Sequence, residues 1–362
     1  MFGRTKTVAI VASLILLACY FSSAKATSIT DQAADEATTL NNQAVALAKN
    51  HEDQEAITLL KRAIELRPNV AAVYFNLGKI YQRRNEFELA IDAFKHVLRL
   101  DPTSTDVLHQ LGLCHSQVKR YSTAAEYFTR ALQLKPDLPE TLSELGFVYA
   151  QEGRLQEAVE SCKHSLRIKP NVAPVYNNLG VAFFKLGQFG QAIDALERAR
   201  SIEPSIVDVY YNLGYVYVDA GRVEDAIASY QQALTLKPDY TDVLNNLGLV
   251  YTSRGEYRQA IEMLERAIRL TPGVAVTHYN LAYSFQKAGR LKQAIESYKQ
   301  AIRLNPEFAD AHKGLAIAYL QRGERSLALD EYALLKLIDY EQAQRLFALI
   351  YKDKILKVGS RQ

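Results

Sequence analysis

VDVYYNLGYVYVDAGRVEDAIASYQQALTLKPDY, residues 207–240, carries two apolar stripes with helical spacing. Tyr210, Leu213, Gly214 and Tyr217 fall at i, i+3, i+4 and i+7, one face of a first helix, and Ala226, Tyr230 and Ala233 make the facing stripe of a second. Gly221 stands between them, where a positive φ ends a helix without steric cost, and Pro238 lies where the chain must stop and turn. The pattern recurs: Pro68, Pro102, Pro136, Pro170, Pro204, Pro238, Pro272 and Pro306 each follow the one before by thirty-four residues, which only a tandem array does. Placing the proline at position 32 defines nine units, 37–70, 71–104, 105–138, 139–172, 173–206, 207–240, 241–274, 275–308 and 309–342, the last with Tyr340 in place of the proline. Position 20 is alanine in every unit, from Ala56 to Ala328, and this methyl is expected to oppose the Gly or Ala of position 8 so that the paired helices approach closely.

These columns closely resemble the tetratricopeptide repeat family, whose pattern of aromatic, Leu-Gly, Tyr, Ala, aromatic, Ala and Pro is met over residues 37 to about 342. The resemblance implies an all-α fold, a right-handed superhelical solenoid of nine helix-turn-helix units whose first helices line a concave groove. The ends depart from the pattern as capping units do. Gln43 and His51 replace the Leu and Gly of the first unit, and Thr30-Asp31 opens a lead-in segment over 27–36. Tyr340, Ala343, Leu346, Phe347, Ile350 and Tyr351 form an amphipathic stripe, with Asp339 as N-cap and Gln342 three residues on, so a capping helix starting near 339 and a tail fill 343–362.

The first 26 residues read as an export signal. Arg4 and Lys6 precede an apolar run from Val8 to Phe21, and Ser22 to Ala26 supplies small residues ending in Ala-x-Ala. The run is shorter than the roughly 20 residues that span a bilayer. Cleavage after Ala26 is the expected route. Leu16-Leu17-Ala18-Cys19 also resembles a lipobox, which would lipidate Cys19, and an uncleaved anchor is the third alternative. All three put the repeats outside the cytosol, periplasmic or extracellular, with a membrane reached only through the N-terminus. Of 43 Lys and Arg against 40 Asp and Glu, the segment holds Arg4, Lys6 and Lys25 and no acid, so the rest is balanced and offers no electrostatic case for nucleic acid. Cys114 and Cys162 fall in packed columns of different units and read as buried free thiols.

The resemblance also implies which columns face a ligand, namely positions 2, 5, 6, 9, 12 and 13 of each first helix. Asn177, Asn178, Asn212, Asn245, Asn246 and Asn280 then form a ladder of amides able to grip a peptide backbone through both C=O and N–H, or to tie neighbouring helices together. Phe147, Phe184, Tyr211, Tyr215, Tyr279 and Tyr283 reinforce it, as amphipathic contacts or as half-buried supports. A secondary, mildly basic groove comprises Asn76, Lys79, Arg83 and His109. The set by which relatives hold a chaperone's C-terminal carboxylate is missing, for Lys313 alone has the right column and Ile317 stands where its Asn belongs.

Enzyme signatures are not found. Twelve of the seventeen glycines occupy positions 8 or 15, which leaves no phosphate-cradling loop. His109, Cys114 and His115 splay over different helix faces, no metal site follows, and His115 reads as a satisfied core residue. The array also resembles the repeats attached to protein O-glycosyltransferases, but the twenty residues after the last unit are far too few for a transferase domain. The expectation is a non-catalytic scaffold for other proteins or peptides, with no cofactor and no small-molecule substrate. Its alternatives are an assembly component of a cell-envelope complex working through lateral helix faces, and a substrate-holding accessory of a separate enzyme.

Overall fold

The structure, a computed structural model, describes the backbone of residues 34–359 and the side chains of 34–351. The export segment, Cys19, Thr30-Asp31 and the side chains of the tail lie outside the described residues. Helix α1 covers 34–49, and α2 (Asp53–Leu66) packs with it as the second helix of repeat 1. Repeats 2 to 4 follow as α3 (Ala71–Arg83) with α4 (Phe87–Leu100), α5 (Thr105–Gln117) with α6 (Tyr121–Leu134), and α7 (Pro139–Gln151) with α8 (Leu155–Ile168). This first compact unit ends at Pro170.

The second unit begins at Asn171. It holds α9 (Ala173–Lys185) with α10 (Phe189–Ile202), α11 (Val207–Asp219) with α12 (Val223–Leu236), α13 (Thr241–Arg254) with α14 (Tyr257–Leu270), α15 (Ala275–Lys287) with α16 (Leu291–Leu304), and α17 (Ala309–Gln321) with α18 (Arg325–Ile338). Helix α19 (Tyr340–Gly359) closes it, and no strand occurs among the described residues. Within each unit a first helix packs on its own second helix, and that second helix packs on the first helix of the next repeat.

Why the chain turns where it does is set by two columns. Every residue of position 15 is left-handed, including the non-glycines His51 (φ 64), Asn85 (φ 60) and Lys119 (φ 59). The amide N–H one residue on then reaches back to the carbonyl of position 11, as from Arg222 to Tyr217 at 2.8 Å and from Arg120 to His115 at 2.9 Å, which closes the helix with a Schellman bond. The Arg of position 16 lies over the position-11 ring in three repeats, Arg154 on Tyr149 at 3.9 Å, Arg222 on Tyr217 at 4.5 Å and Arg290 on Phe285 at 4.8 Å. At the other turn the residue before the proline is extended, as Asp101 (φ −134) and Glu203 (φ −140) show, because the pyrrolidine ring disfavours helix there. Asp339 keeps that extended shape (φ −146) without a proline after it, and α19 starts at once.

Two packing details differ from the sequence expectation. The glycine of position 8 is kept small by the side chain of position 24, not by the methyl of position 20. A Cβ on Gly214 would stand 2.5 Å from the Tyr230 ring, on Gly112 2.4 Å from Phe128, and on Gly180 2.6 Å from Leu196. In the cap, Ala343, Leu346 and Ile350 are buried, whereas Tyr340 is 60% exposed and stands outside the stripe. Asp339 Oδ1 does accept the Gln342 N–H at 2.9 Å, but the Gln342 Oε1 has no partner, so the capping box is half made.

Candidate functional site

In the second unit the first helices carry the predicted residues on one face. Asn177, Asn178 and Phe184 lie on α9, Tyr211, Asn212 and Tyr215 on α11, Asn245 and Asn246 on α13, and Tyr279, Asn280 and Tyr283 on α15. The aromatic side chains form a braced row. Phe184 meets Tyr215 edge to face at 5.3 Å and 89°, and Tyr215 lies 6.5 Å from Tyr211. Tyr215 remains 45% exposed and Tyr283 37% exposed, while Tyr211 and Tyr279 are half-buried supports. The Lys287 ammonium lies 5.3 Å from the centre of the Tyr283 ring. Burial, with the Asp242 carboxylate second, pushes the Tyr211 hydroxyl above its ordinary pKa, so it stays a neutral donor.

Two rings in this row were not anticipated. Tyr240, just before α13, stacks on Tyr211 at 5.5 Å and donates to Asp208 Oδ1 at 3.3 Å, and Phe308, just before α17, lies 5.1 Å from Tyr279. Both occupy position 34, outside the helical columns that carry the family pattern. The signal was a repeated spacing, since each ring follows its position-5 tyrosine by the same number of residues.

Between successive repeats of the second unit the asparagine ladder follows a simple rule: the amide of position 6 bonds the polar group at position 5 of the preceding repeat. Asn212 Nδ2 donates to Asn177 Oδ1 at 2.8 Å, and Asn280 Nδ2 to Asn245 Oδ1 at 2.9 Å. Asn246 finds the hydroxyls of Tyr211 and Tyr230 instead. These amides therefore tie consecutive repeats together. Asn280 corrects the expectation outright: at 5% exposure it is a buried tie and offers nothing to a groove. Asn177, Asn178, Asn212 and Asn245 stay half-buried.

In the first unit Phe147 on α7 rests edge-on against Tyr121 at 6.5 Å. Asn76 repeats the amide rule, donating to Asn41 Oδ1 at 2.9 Å. Together with Lys79 and Arg83 it lines a cavity of about 500 Å³ floored by Val45, Ala48 and Ile80. The expected basic character is weaker than its residues suggest. Arg83 is ion-paired with Asp53, Lys79 donates to Gln110 Oε1 at 3.1 Å, and burial lowers the His109 pKa while its Nδ1 sits 3.0 Å from Thr141 Oγ1.

Cys114 and Cys162 are free and buried, with thiol pKa values pushed up by burial to about 11 and about 12, so neither is a reactive thiolate. His115 is buried at 4% exposure, but it is not satisfied: neither ring nitrogen has a hydrogen-bond partner, and the ring stacks on Tyr127 at 5.3 Å. Among the described residues no group of three or more His, Cys, Asp or Glu is placed to hold a metal.

Stacked helix pairs with a thirty-four-residue period and a Schellman turn in each unit define a helical repeat solenoid. A family model described as the cilia and flagella-associated protein 70 C-terminal domain matches residues 104–317, and two tetratricopeptide repeat models match residues 35–103 and 285–350; the chain belongs to the tetratricopeptide repeat family. No curated protein matches it. A tetratricopeptide repeat protein from Parabacteroides merdae is similar over 69% of this chain and 99% of its own, with 16% identity and a TM-score of 0.60. The Cut9–Hcn1 hetero-tetramer of the APC/C is similar over 88% of this chain and 84% of that chain at 17% identity and a TM-score of 0.51. PilF of Pseudomonas aeruginosa covers 58% of this chain and 96% of its own, at 22% identity and a TM-score of 0.51. At such identities the likeness is one of fold, the fold of protein-interaction scaffolds that are typically without catalytic activity.

Proposed function

We propose that the first-helix face of repeats 5 to 8 receives an extended peptide segment of a partner protein, the chain acting as a non-catalytic interaction scaffold outside the cytosol. The observation that carries this reading is the pair of exposed tyrosines, Tyr215 and Tyr283, on rings braced by their neighbours. A ring already held by Phe184 loses little conformational freedom when a ligand covers its open face, and it presents both apolar area and a hydroxyl. The half-buried amide of Asn178 on the same face supplies a donor and an acceptor for a peptide backbone, whereas Asn245 already accepts from Asn280.

The test uses Tyr215→Ala with Tyr283→Ala, because both side chains are partly open to solvent and no hydrogen bond between repeats rests on either, only the edge-to-face contact of Tyr215 with Phe184. A displayed library of random peptides is selected on the wild-type chain, and the winners are measured on the double variant. The expected outcome is a loss of affinity of at least about 30-fold, the scale of one truncated hot-spot side chain. Winners that bind both chains equally would remove the groove reading. Export rests on residues 1–26 and is checked by the intact mass of the native protein. A start at Thr27 or a lipid-bearing start at Cys19 supports it, and a chain retaining Met1 in the cytosolic fraction overturns it.

A further inference from the structure

The outer side of the first unit carries a cleft of about 580 Å³ between its second helices α4 and α6. Its floor is apolar, made by Leu98, Pro102 and the ring of Tyr127. That ring is held in place from behind, since His115 lies within 15° of parallel to it at 5.3 Å. On the opposite wall His96 lies flat against Tyr74 at 4.6 Å. Around this floor stand Lys95, Arg99 and Arg130 with a single carboxylate, Asp92.

None of these three cations forms an ion pair among the described residues; Arg130 only leans over the Tyr127 ring at 5.7 Å. Some surface cations of the same unit are matched, Arg120 to Glu88 at 2.7 Å and Lys169 to Glu140 at 3.0 Å, but only this cleft gathers three unpaired ones around an apolar floor among the clefts compared below. The repeat pattern does not account for the surplus. One repeat further on, the equivalent cleft between α6 and α8 has Thr129 and Gln133 in the columns of Lys95 and Arg99, with Glu157 and Glu160 on its rim. In the second unit the corresponding cleft between α10 and α12 has two arginines, each matched by an acid, Arg200 with Glu197 and Arg222 with Asp225.

We propose that the α4–α6 cleft is a second docking site, for an acidic segment of a partner polypeptide that carries an apolar side chain between carboxylates. The apolar side chain covers Leu98 and Tyr127, and the flanking carboxylates pair with Lys95, Arg99 and Arg130, the guanidinium groups donating two parallel N–H bonds to a carboxylate in a fork that an ammonium does not offer. The cleft has the volume of an ordinary ligand site, roughly 300–1,000 Å³. A recessed apolar floor favours an inserted side chain over a flat anionic bilayer, and Asp92 at the rim disfavours an evenly negative surface. Attraction of this kind acts mainly on the association rate and is screened by salt.

The experiment is fluorescence anisotropy of the full chain with a labelled decapeptide that alternates Glu or Asp with Leu and Phe. Lys95→Glu with Arg130→Glu is the charge-reversed variant, and Arg99→Gln is a milder one should the first lose its helical circular dichroism. Binding by the wild-type chain is expected to fall about 10-fold or more on charge reversal, to weaken between 50 and 200 mM salt, and to be unchanged by Tyr215→Ala with Tyr283→Ala. No binding by the wild-type chain, or binding indifferent to both variants, would overturn the proposal. So would capture by phosphatidylglycerol vesicles that needs Lys95 and Arg130 while the peptide is ignored, since the surface would then be one for lipid.

Discussion

A left-handed residue that carries a side chain holds strain that a glycine would not. Lys119 (φ 59) sits in the column where six other repeats have glycine, and it lacks the short polar side chain with which Asn85 tolerates the same shape. Lys119→Gly is therefore expected to stabilise the first unit by about 0.5–1 kcal/mol and Asn85→Gly by less, read as the shift in urea midpoint. The opposite holds where a glycine lies under a ring. Gly214→Ala forces a methyl into Tyr230, which is nearly inaccessible and cannot swing away, at a cost of about 2 kcal/mol. Gly190→Ala on α10, with nothing within 4 Å of the added atom, serves as the control and should be neutral or slightly stabilising in the same titration. The same scale explains why Tyr215 and Tyr283 are better probes of the groove than the asparagines. Truncating Asn212 or Asn246 also removes a bond between repeats, so lost binding and lost stability would arrive together.

Elements are held to one another by a recurring bond from position 4 of a first helix to the proline carbonyl six residues earlier. Tyr210 donates to Pro204 O at 3.1 Å, and His278 and His312 place Nε2 at 2.9 Å from the carbonyls of Pro272 and Pro306. His312 adds a second contact, Nδ1 to Glu331 Oε2 at 2.7 Å, which links α17 to α18. Both partners are acceptors, and a neutral imidazole has one N–H, so only the imidazolium satisfies both. The hydrogen bond to Glu331 accordingly raises the His312 pKa above its ordinary value. The folded-state pKa is higher than that of the unfolded chain, so the clasp contributes fully below about pH 6.5 and its contribution is lost as the pH rises through the folded value. Glu331→Gln should cost about 1.5 kcal/mol at pH 6 and progressively less toward pH 9, seen in amide exchange of α17 and α18. A pH-independent difference would mean that the ring is neutral. The helix pair and its turns were legible in the sequence because period, glycine and proline are local signals. This clasp was not, since Glu331 is an ordinary exposed-looking acid until α18 folds back on α17.

At the scale of the molecule, the period made the array readable from residues alone, but period says nothing about which polar side chains are already engaged. The sequence left open whether the amides of Asn212 and Asn280 grip a ligand or tie helices, because their partners lie thirty-five residues away, in the adjacent column of the neighbouring repeat. The same regularity makes a strong prediction about removing a whole unit. Excising residues 207–240 joins Ile206 to Thr241 and keeps every column in step, so that α10 meets Val243, Leu244 and Leu247 of α13 where it now meets Val209, Tyr210 and Leu213 of α11. Stability in such arrays is close to a sum of repeats and nearest-neighbour interfaces, so ellipticity per residue should be unchanged and the unfolding midpoint only modestly lower. Tyr211 leaves with the excised unit, which brings Asn177 into the place opposite Asn246. By the position-5 to position-6 rule the two amides should then bond as Asn177 and Asn212 do now, and a further Asn246→Ala should cost about 1 kcal/mol in the shortened chain. Peptides selected through Tyr215 should no longer bind. A shortened chain that loses its helicity would show that repeats 5 and 7 cannot take each other's neighbours, and that the columns, though identical in sequence register, are fitted pair by pair.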